Sequence, residues 1–299
     1  MKSPAVRLLG RLLLTAAVLY VALGFAVVAV LSKPQRNFDP SQSPGQRGLA
    51  YQDVRFPSRG GDAQLAAWYV PHDSRRAALV MVHGKDGSRT NEQNHRNVEF
   101  LAALHQQGFA LLAMDLRGHG QSSDARFSFG VHESRDVLGG VDYLTNQGYS
   151  RSQIGLHGVS MGAASVLLAA AQDPQVQAVI ADCGYADFGR LMRREWHRRT
   201  HLPSVVMPAA RLVARLWLGT DVLSVRPIDQ VPQIKAQVLF THAADDTLIA
   251  PSDSQEMAAQ LPGSALWIQP KAQHAAGFDA DPAAYTEHVA QFFAKTLHN

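Results

Sequence analysis

The residues best suited to covalent chemistry stand at 158–162, Gly158-Val159-Ser160-Met161-Gly162. A short apolar run, 154–156, leads into this pentapeptide, and an alanine- and leucine-rich stretch, 163–171, leaves it. Strand, sharp turn and helix form the context in which a serine is held in a strained backbone region. The chain then passes so close on either side that only glycine fits at 158 and 162. Ser160 would be exposed at a helix N-terminus, where free N–H groups and the helix dipole favour developing negative charge. That is the position of a nucleophile.

The elements that must hold it follow a regular alternation. Two short apolar segments, 53–57 and 63–71, flank Ser58-Arg59-Gly60-Gly61-Asp62 and predict an antiparallel hairpin. Strand-like runs at 77–82, 110–114, 154–156, 176–181, 236–241 and 265–268 then interleave with helical patterns at 91–107, 133–147, 161–172, 251–260 and 282–297. Near-continuous apolar strands separated by helices predict an α/β domain with a mostly parallel, doubly wound sheet covered on both faces. One long connection breaks the alternation: about fifty residues, 184–235, carry two helix-like stretches with no strand between them. So long a connection is usually functional, and it is expected to be a helical cap over the mouth of the site, supplying the substrate pocket. Its cluster of arginines and His197 is expected to be a solvated helix face or, more specifically, a surface turned toward acidic lipid headgroups.

The remaining chemically informative residues lie where such a sheet places its ligands, just past strand ends. They are His83-Gly84-Lys85-Asp86-Gly87-Ser88, the run from Asp115 to Ser122, the run from His242 through Asp245 and Asp246, and Lys271-Ala272-Gln273-His274. Together with Gly158–Gly162 these resemble the α/β-hydrolase superfamily. The likeness is closest to its membrane-anchored or secreted serine hydrolases, in the group that includes esterase- and thioesterase-like and, more distantly, acyl-peptidase-like members. The resemblance covers residue 50 to the C-terminus, in the chain order serine, acid, histidine that this fold demands. It implies Ser160 as nucleophile, His274 as general base and Asp246 as the acid that orients the imidazole, with the backbone N–H groups of Lys85 and Met161 forming the oxyanion hole. Asp245 is the near rival of Asp246, and the spacing from His242 compared with the family favours Asp246. His288 and His298, at or near the last helix, are the rivals of His274. Lys85-Asp86 and Ala243 depart from the smaller residues common in the family at those positions. His83, His119 and His242 are expected to be structural, bonding turns at strand ends, and they lack the paired spacing of a metal site. No metal or other cofactor is called for.

Ahead of this domain, residues 12–31 run twenty positions without a charge, about 30 Å as a helix, enough to cross a bilayer. The expected architecture is an N-terminal tail at 1–11, a transmembrane anchor at 12–31, a polar, breaker-rich tether at 32–49 and the hydrolase domain at 50–299. The rival readings of the apolar segment are a cleaved signal peptide and a buried soluble helix. The flanking basic residues give a slight bias toward a catalytic domain outside the cytoplasm.

The composition is that of a globular chain: 46% hydrophobic, 18% charged, net charge +3 and pI about 9.1. With no basic block interleaved with aromatics, nucleic acid is not an expected partner. The single cysteine, Cys183, excludes an internal disulfide and is expected to be a small buried hydrophobe at a strand end. The expected activity is cleavage of a small-molecule or lipid-like ester or thioester through an acyl-enzyme. A serine peptidase or amidase of the same fold, and a non-catalytic membrane-tethered binding module, are the alternatives.

Overall fold

The computed structural model describes residues 3–74 and 76–297. Its strands are β1 (Gln52–Pro57), β2 (Gln64–Val70), β3 (Ala77–Val82), β4 (Phe109–Met114), β5 (Ile154–Val159), β6 (Ala178–Asp182), β7 (Gln237–Ala243) and β8 (Ala265–Gln269). The helices begin with α1 (Pro4–Leu31), α2 (Glu92–His95), α3 (Asn97–Gln106), α4 (Val131–Asn146) and α5 (Met161–Gln172). They continue with α6 (Phe188–Thr200), α7 (Met207–Leu218), α8 (Pro227–Gln230), α9 (Pro251–Ala259), α10 (Gly277–Ala280) and α11 (Pro282–Thr296). The chain divides into two units, one made of Met1–Lys33 with Phe188–Val225 and the other of Pro34–Asp187 with Arg226–Asn299.

In the larger unit all eight strands join one sheet in the order β1-β2-β4-β3-β5-β6-β7-β8. β1 pairs antiparallel with β2 through the expected hairpin, β2 pairs antiparallel with β4, and every later pairing is parallel. Every residue of β3, β4, β5 and β6 is buried, as strands covered on both faces by helices must be. The chain winds from β3 outward to β4 and then returns to place β5 on the other side of β3. The order therefore reverses between β3 and β5, and their carboxyl ends open the crevice where such sheets bind ligands.

The helical pattern at 91–107 is not one helix. Gln93, Asn94 and His95 all have positive φ, so the chain turns through α2 before α3 begins at Asn97. The run from Asp115 to Ser122 works as a scaffold. Buried Asp115 accepts the Arg89 side chain and the backbone N–H groups of Arg89 and Gln121. Arg117, also buried, donates to Asp136 at 2.7–3.1 Å and to Asp62 at 3.0–3.1 Å. Removing Arg117 leaves the fully buried Asp136 without its counter-charge, so Arg117→Ala is expected to cost about 3–5 kcal/mol of stability, read from the urea midpoint at constant slope.

Residues 34–49, part of the stretch 32–49 expected as a tether, make specific bonds within this unit. Arg36 donates to the carbonyl of Ser122 at 3.0 Å, the Asn37 amide to the carbonyl of Asp86 at 3.0 Å, and the N–H of Asp39 to Thr90 Oγ1 at 3.0 Å. Composition reports an absence of apolar periodicity, and these bonds need none.

The smaller unit holds α1, α6 and α7. α1 starts at Pro4, capped by Ser3, and is long and apolar enough to cross a bilayer. The long connection contributes to this unit only from Phe188 to Val225, while its final part, with α8, belongs to the larger unit.

Candidate active site

Ser160 stands between the end of β5 and the start of α5 with φ 55° and ψ −111°, a conformation that costs a non-glycine residue of order 1–3 kcal/mol. The neighbouring glycines make it possible. A Cβ on Gly158 would lie 2.3 Å from the carbonyl oxygen of Gly162, and one on Gly162 would lie 2.5 Å from the carbonyl oxygen of Val82. The second contact also draws the end of β3 against the serine turn. The N–H of Ser160 donates to the carbonyl of Asp182 at 2.8 Å, tying the turn to β6.

Two later strand ends bring an imidazole and a carboxylate to this serine. His274 Nε2 lies 3.0 Å from Ser160 Oγ, and His274 Nδ1 lies 2.6 Å from Asp246 Oδ2. Asp246 is buried and accepts the N–H groups of Leu248 and Ile249 at 2.9 and 2.8 Å through its other oxygen. Burial opposes its ionisation, but hydrogen bonds from His242 and His274 outweigh that and hold its pKa well below the usual carboxylate range. An ionised Asp246 can only accept, so a neutral His274 carries its proton on Nδ1 and turns the Nε2 lone pair to the serine hydroxyl. Asp245 is exposed, and its N–H donates to the carbonyl of Ala272. His288 sits on α11, stacked on Trp267 at 4.0 Å. His298 lies outside the described residues.

On the other flank of Ser160, a Cβ on Gly84 would be 3.2 Å from the serine Cβ, so the loop after β3 passes directly beside it. The N–H of Gly84 is taken by the Glu92 carboxylate at 2.6 Å. Among the described residues, the N–H groups of Lys85 and Met161 donate to no other protein group. The Lys85 ammonium pairs with Asp86. Sequence reasoning missed Glu92, which lies in a polar stretch with no pattern to mark it. Burial raises its pKa, countered by the N–H groups of Gly84 and Gln93. Glu92→Ala is expected to lower stability by about 1.5–3 kcal/mol, the worth of a charge-assisted hydrogen bond, as read by urea unfolding; a change below about 0.5 kcal/mol would mean that the bond is not made.

Cys183 is also closer to Asp246 and His274 than its sequence position suggested. It is buried just past β6, and its Sγ lies within 4.8 Å of ligand-capable atoms of Asp246 and His274. Those two side chains are already bonded to each other, and burial pushes the thiol well above its ordinary pKa. A metal held there would have to break the Asp246–His274 bond and deprotonate a buried thiol.

His83, His242 and His157 are each fixed by hydrogen bonds. Leu116 donates its N–H to His83 Nε2 at 2.9 Å, so His83 must carry its proton on Nδ1, which donates to the carbonyl of Gly84 at 2.7 Å. His242 lies between Ser254 Oγ and the carbonyl of Ile249. His157 reaches Tyr285 Oη at 3.0 Å, and that hydroxyl donates to Asp182 at 2.6 Å. Burial lowers the pKa values of His83, His119 and His157 from 6.5 to about 4. Each is neutral when folded and protonates near 6.5 when unfolded. The stability they contribute is therefore fully present above pH 6.5 and is lost as pH falls from there toward 4. Each is expected to contribute a slope of about 1.4 kcal/mol per pH unit in that window, checked by urea unfolding at stepped pH.

Residues 95–299 match the model of the prolyl oligopeptidase family of peptidases. The chain belongs to that family. Its match spans the serine turn, Asp246 and His274, and the fold is that of the α/β-hydrolase superfamily. The chain is 30% identical over 227 residues to the uncharacterized protein YqkD of Bacillus subtilis, covering 75% of this chain and 72% of that one. Among solved structures, the esterase Pf2001 of Pyrococcus furiosus superposes with a TM-score of 0.72 at 22% identity, covering 88% of this chain and 99% of that one. A dienelactone hydrolase from Anabaena variabilis gives a TM-score of 0.61 at 20% identity, covering 84% and 99%. At these identities the structural likeness speaks to the fold. Family and fold together make this member of the prolyl oligopeptidase family a serine hydrolase.

Proposed function

We propose that this family member is a membrane-anchored hydrolase that cleaves an ester or thioester through an acyl-enzyme formed on Ser160. The observation that carries the proposal is the bonded chain Asp246–His274–Ser160 at the carboxyl ends of β5 and β7 and beyond β8. In the first step Ser160 Oγ attacks the acyl carbon while His274 Nε2 takes the hydroxyl proton. Asp246 holds the imidazole in the tautomer that can accept that proton and stabilises the cation that results. The N–H groups of Lys85 and Met161 receive the oxyanion, a contribution of about 3–4 kcal/mol for one such donor. As the tetrahedral intermediate collapses, the bond to the alkoxide or thiolate breaks and His274 returns the proton to that leaving group. Water then attacks the acyl carbon, His274 takes its proton, and collapse releases the acid and restores Ser160.

An aliphatic or lipid-like acyl substrate suits a hydrolase whose α1 enters a membrane, and the slight bias of basic residues around α1 supports a catalytic unit outside the cytoplasm. The family match favours a second reading, peptidase or amidase activity. Both are tested by one panel of p-nitrophenyl esters, acyl thioesters and aminoacyl p-nitroanilides. The esterase reading expects the highest kcat/KM on an ester or thioester, and a preference for the anilides would replace it with the peptidase reading. Protease protection in sealed vesicles tests the side on which the domain lies.

A further inference from the structure

Outside α1, the described residues expose only four large apolar side chains, and three of them share one short stretch of the smaller unit: Val205 at 68%, Leu212 at 51% and Leu216 at 78%. Leu212 and Leu216 are four residues apart and so occupy one face of α7. Ala210, Val213, Ala214 and Leu218 on the rest of the helix are buried, and so is Ala209, which lies one turn before Leu212 on the same stripe. α7 is thus apolar on a second, unpartnered side, flanked by Arg211 and Arg215.

What lies beside that side is α1. The Tyr20 hydroxyl donates to the carbonyl of Val205 at 2.6 Å, Phe25 packs on Trp217 with ring centres 4.3 Å apart, and a Cβ on Gly24 would lie 2.7 Å from the Ala209 carbonyl carbon. Glycine at 24 lets the two helices touch backbone to backbone. From Val6 to Leu19 the apolar side chains of α1 are exposed, while Gly24, Val27 and Val28 are buried. α7 therefore meets α1 where the helix passes from an open apolar surface into protein. Tyr20 and Trp217, residue types that collect at a membrane surface, lie at that level, with Phe25 packed on Trp217. The charge agrees: residues 188–225 carry seven arginines against Glu195 and Asp221, in a chain whose net charge is only +3. Among the described residues Arg193, Arg199 and Arg215 enter no ion pair.

We propose that α7 lies in the membrane interface beside α1, with Val205, Leu212 and Leu216 in the acyl-chain boundary and the arginines of α6 and α7 on anionic headgroups. The proposal rests on α1 being an anchor whose crossing part is its exposed N-terminal stretch, Pro4 to about Tyr20, rather than the expected 12–31, with Arg7 and Arg11 reaching toward the far headgroups, and it adds a second contact that holds the smaller unit at a fixed depth. Helices of this kind sink their apolar face about 5–10 Å into the boundary, and an arginine stem can lie along the apolar surface while its head reaches phosphate. Each arginine near an anionic surface adds roughly fivefold to the association.

The test is site-directed fluorescence on the full chain in phosphatidylcholine vesicles with and without phosphatidylglycerol. NBD is attached at Leu212→Cys, Leu216→Cys or Leu13→Cys in a Cys183→Ala background, and nitroxide lipids carry the label high or low on the acyl chain. The expected result is blue-shifted emission at 212 and 216, quenched chiefly by the shallow nitroxide. Quenching at these positions should weaken when phosphatidylglycerol is omitted or when Arg193, Arg199 and Arg215 are replaced by glutamine. Water-like, unquenched emission at 212 and 216 alongside strong quenching at 13 would overturn the proposal while leaving the anchor standing. Absence of quenching at all three positions would remove the anchor and the proposal together. Self-quenching between labelled copies without any nitroxide effect would assign the face to a second copy of the chain and overturn the lipid assignment.

Discussion

Ser160→Ala is expected to lower kcat for ester hydrolysis by a factor on the order of 10⁶ and to abolish labelling by a fluorophosphonate. The size of the effect follows from what the geometry leaves behind. Without Oγ there is no attacking atom within reach of His274 Nε2, so the acyl-enzyme route closes altogether. Residual turnover would come from water, aided by the N–H groups of Lys85 and Met161. The substitution is small and sits where φ is 55° for any side chain, so the fold is expected to persist with its unfolding midpoint little changed. Undiminished labelling of the alanine variant would sink the assignment of the nucleophile. Loss of labelling accompanied by unfolding would be distinguished by the Ser160→Cys variant, which keeps a nucleophile at the same position.

What could be read from the chain and what could not divides along the range of the interactions. Gly158 and Gly162 were legible because the requirement is local: each would drive a Cβ to 2.3 or 2.5 Å from a carbonyl oxygen fixed by the same turn or the adjacent strand. The parallel sheet was legible because burial on both faces writes an unbroken apolar run into each strand. Glu92 was not, because its role as acceptor for Gly84 depends on positive φ at Gln93, Asn94 and His95 breaking a sequence that reads as continuous helix. The Tyr285–Asp182 bond joins residues 103 apart in the chain, and nothing local to either end marks it. The pairing of α1 with α7 is of the same kind. Each reads as an independent apolar helix, and the close approach of Gly24 to Ala209 is marked in neither.

Asp246→Asn is expected to lower kcat by about 10⁴-fold, whereas Asp245→Asn should change it by less than about threefold. The two carboxylates are neighbours in sequence and differ in what surrounds them. Asp245 is exposed, so its charge is screened. Asp246 is buried, receives two backbone N–H groups on one oxygen and faces His274 Nδ1 and His242 Nε2, at 2.6 and 3.3 Å, with the other. Asparagine keeps the shape and can retain the bonds from Leu248 and Ile249 through its carbonyl oxygen. Its amide then faces His274 as a donor, so the imidazole must turn a lone pair on Nδ1 toward it and carry the proton on Nε2. In that tautomer His274 has nothing with which to accept the Ser160 proton, and the imidazolium formed during attack loses its counter-charge. The loss therefore falls on kcat rather than KM, because ground-state binding does not involve the carboxylate. A reversed ranking, with Asp245→Asn the slower variant, would mean that the loop after β7 presents its other carboxylate to the imidazole during turnover.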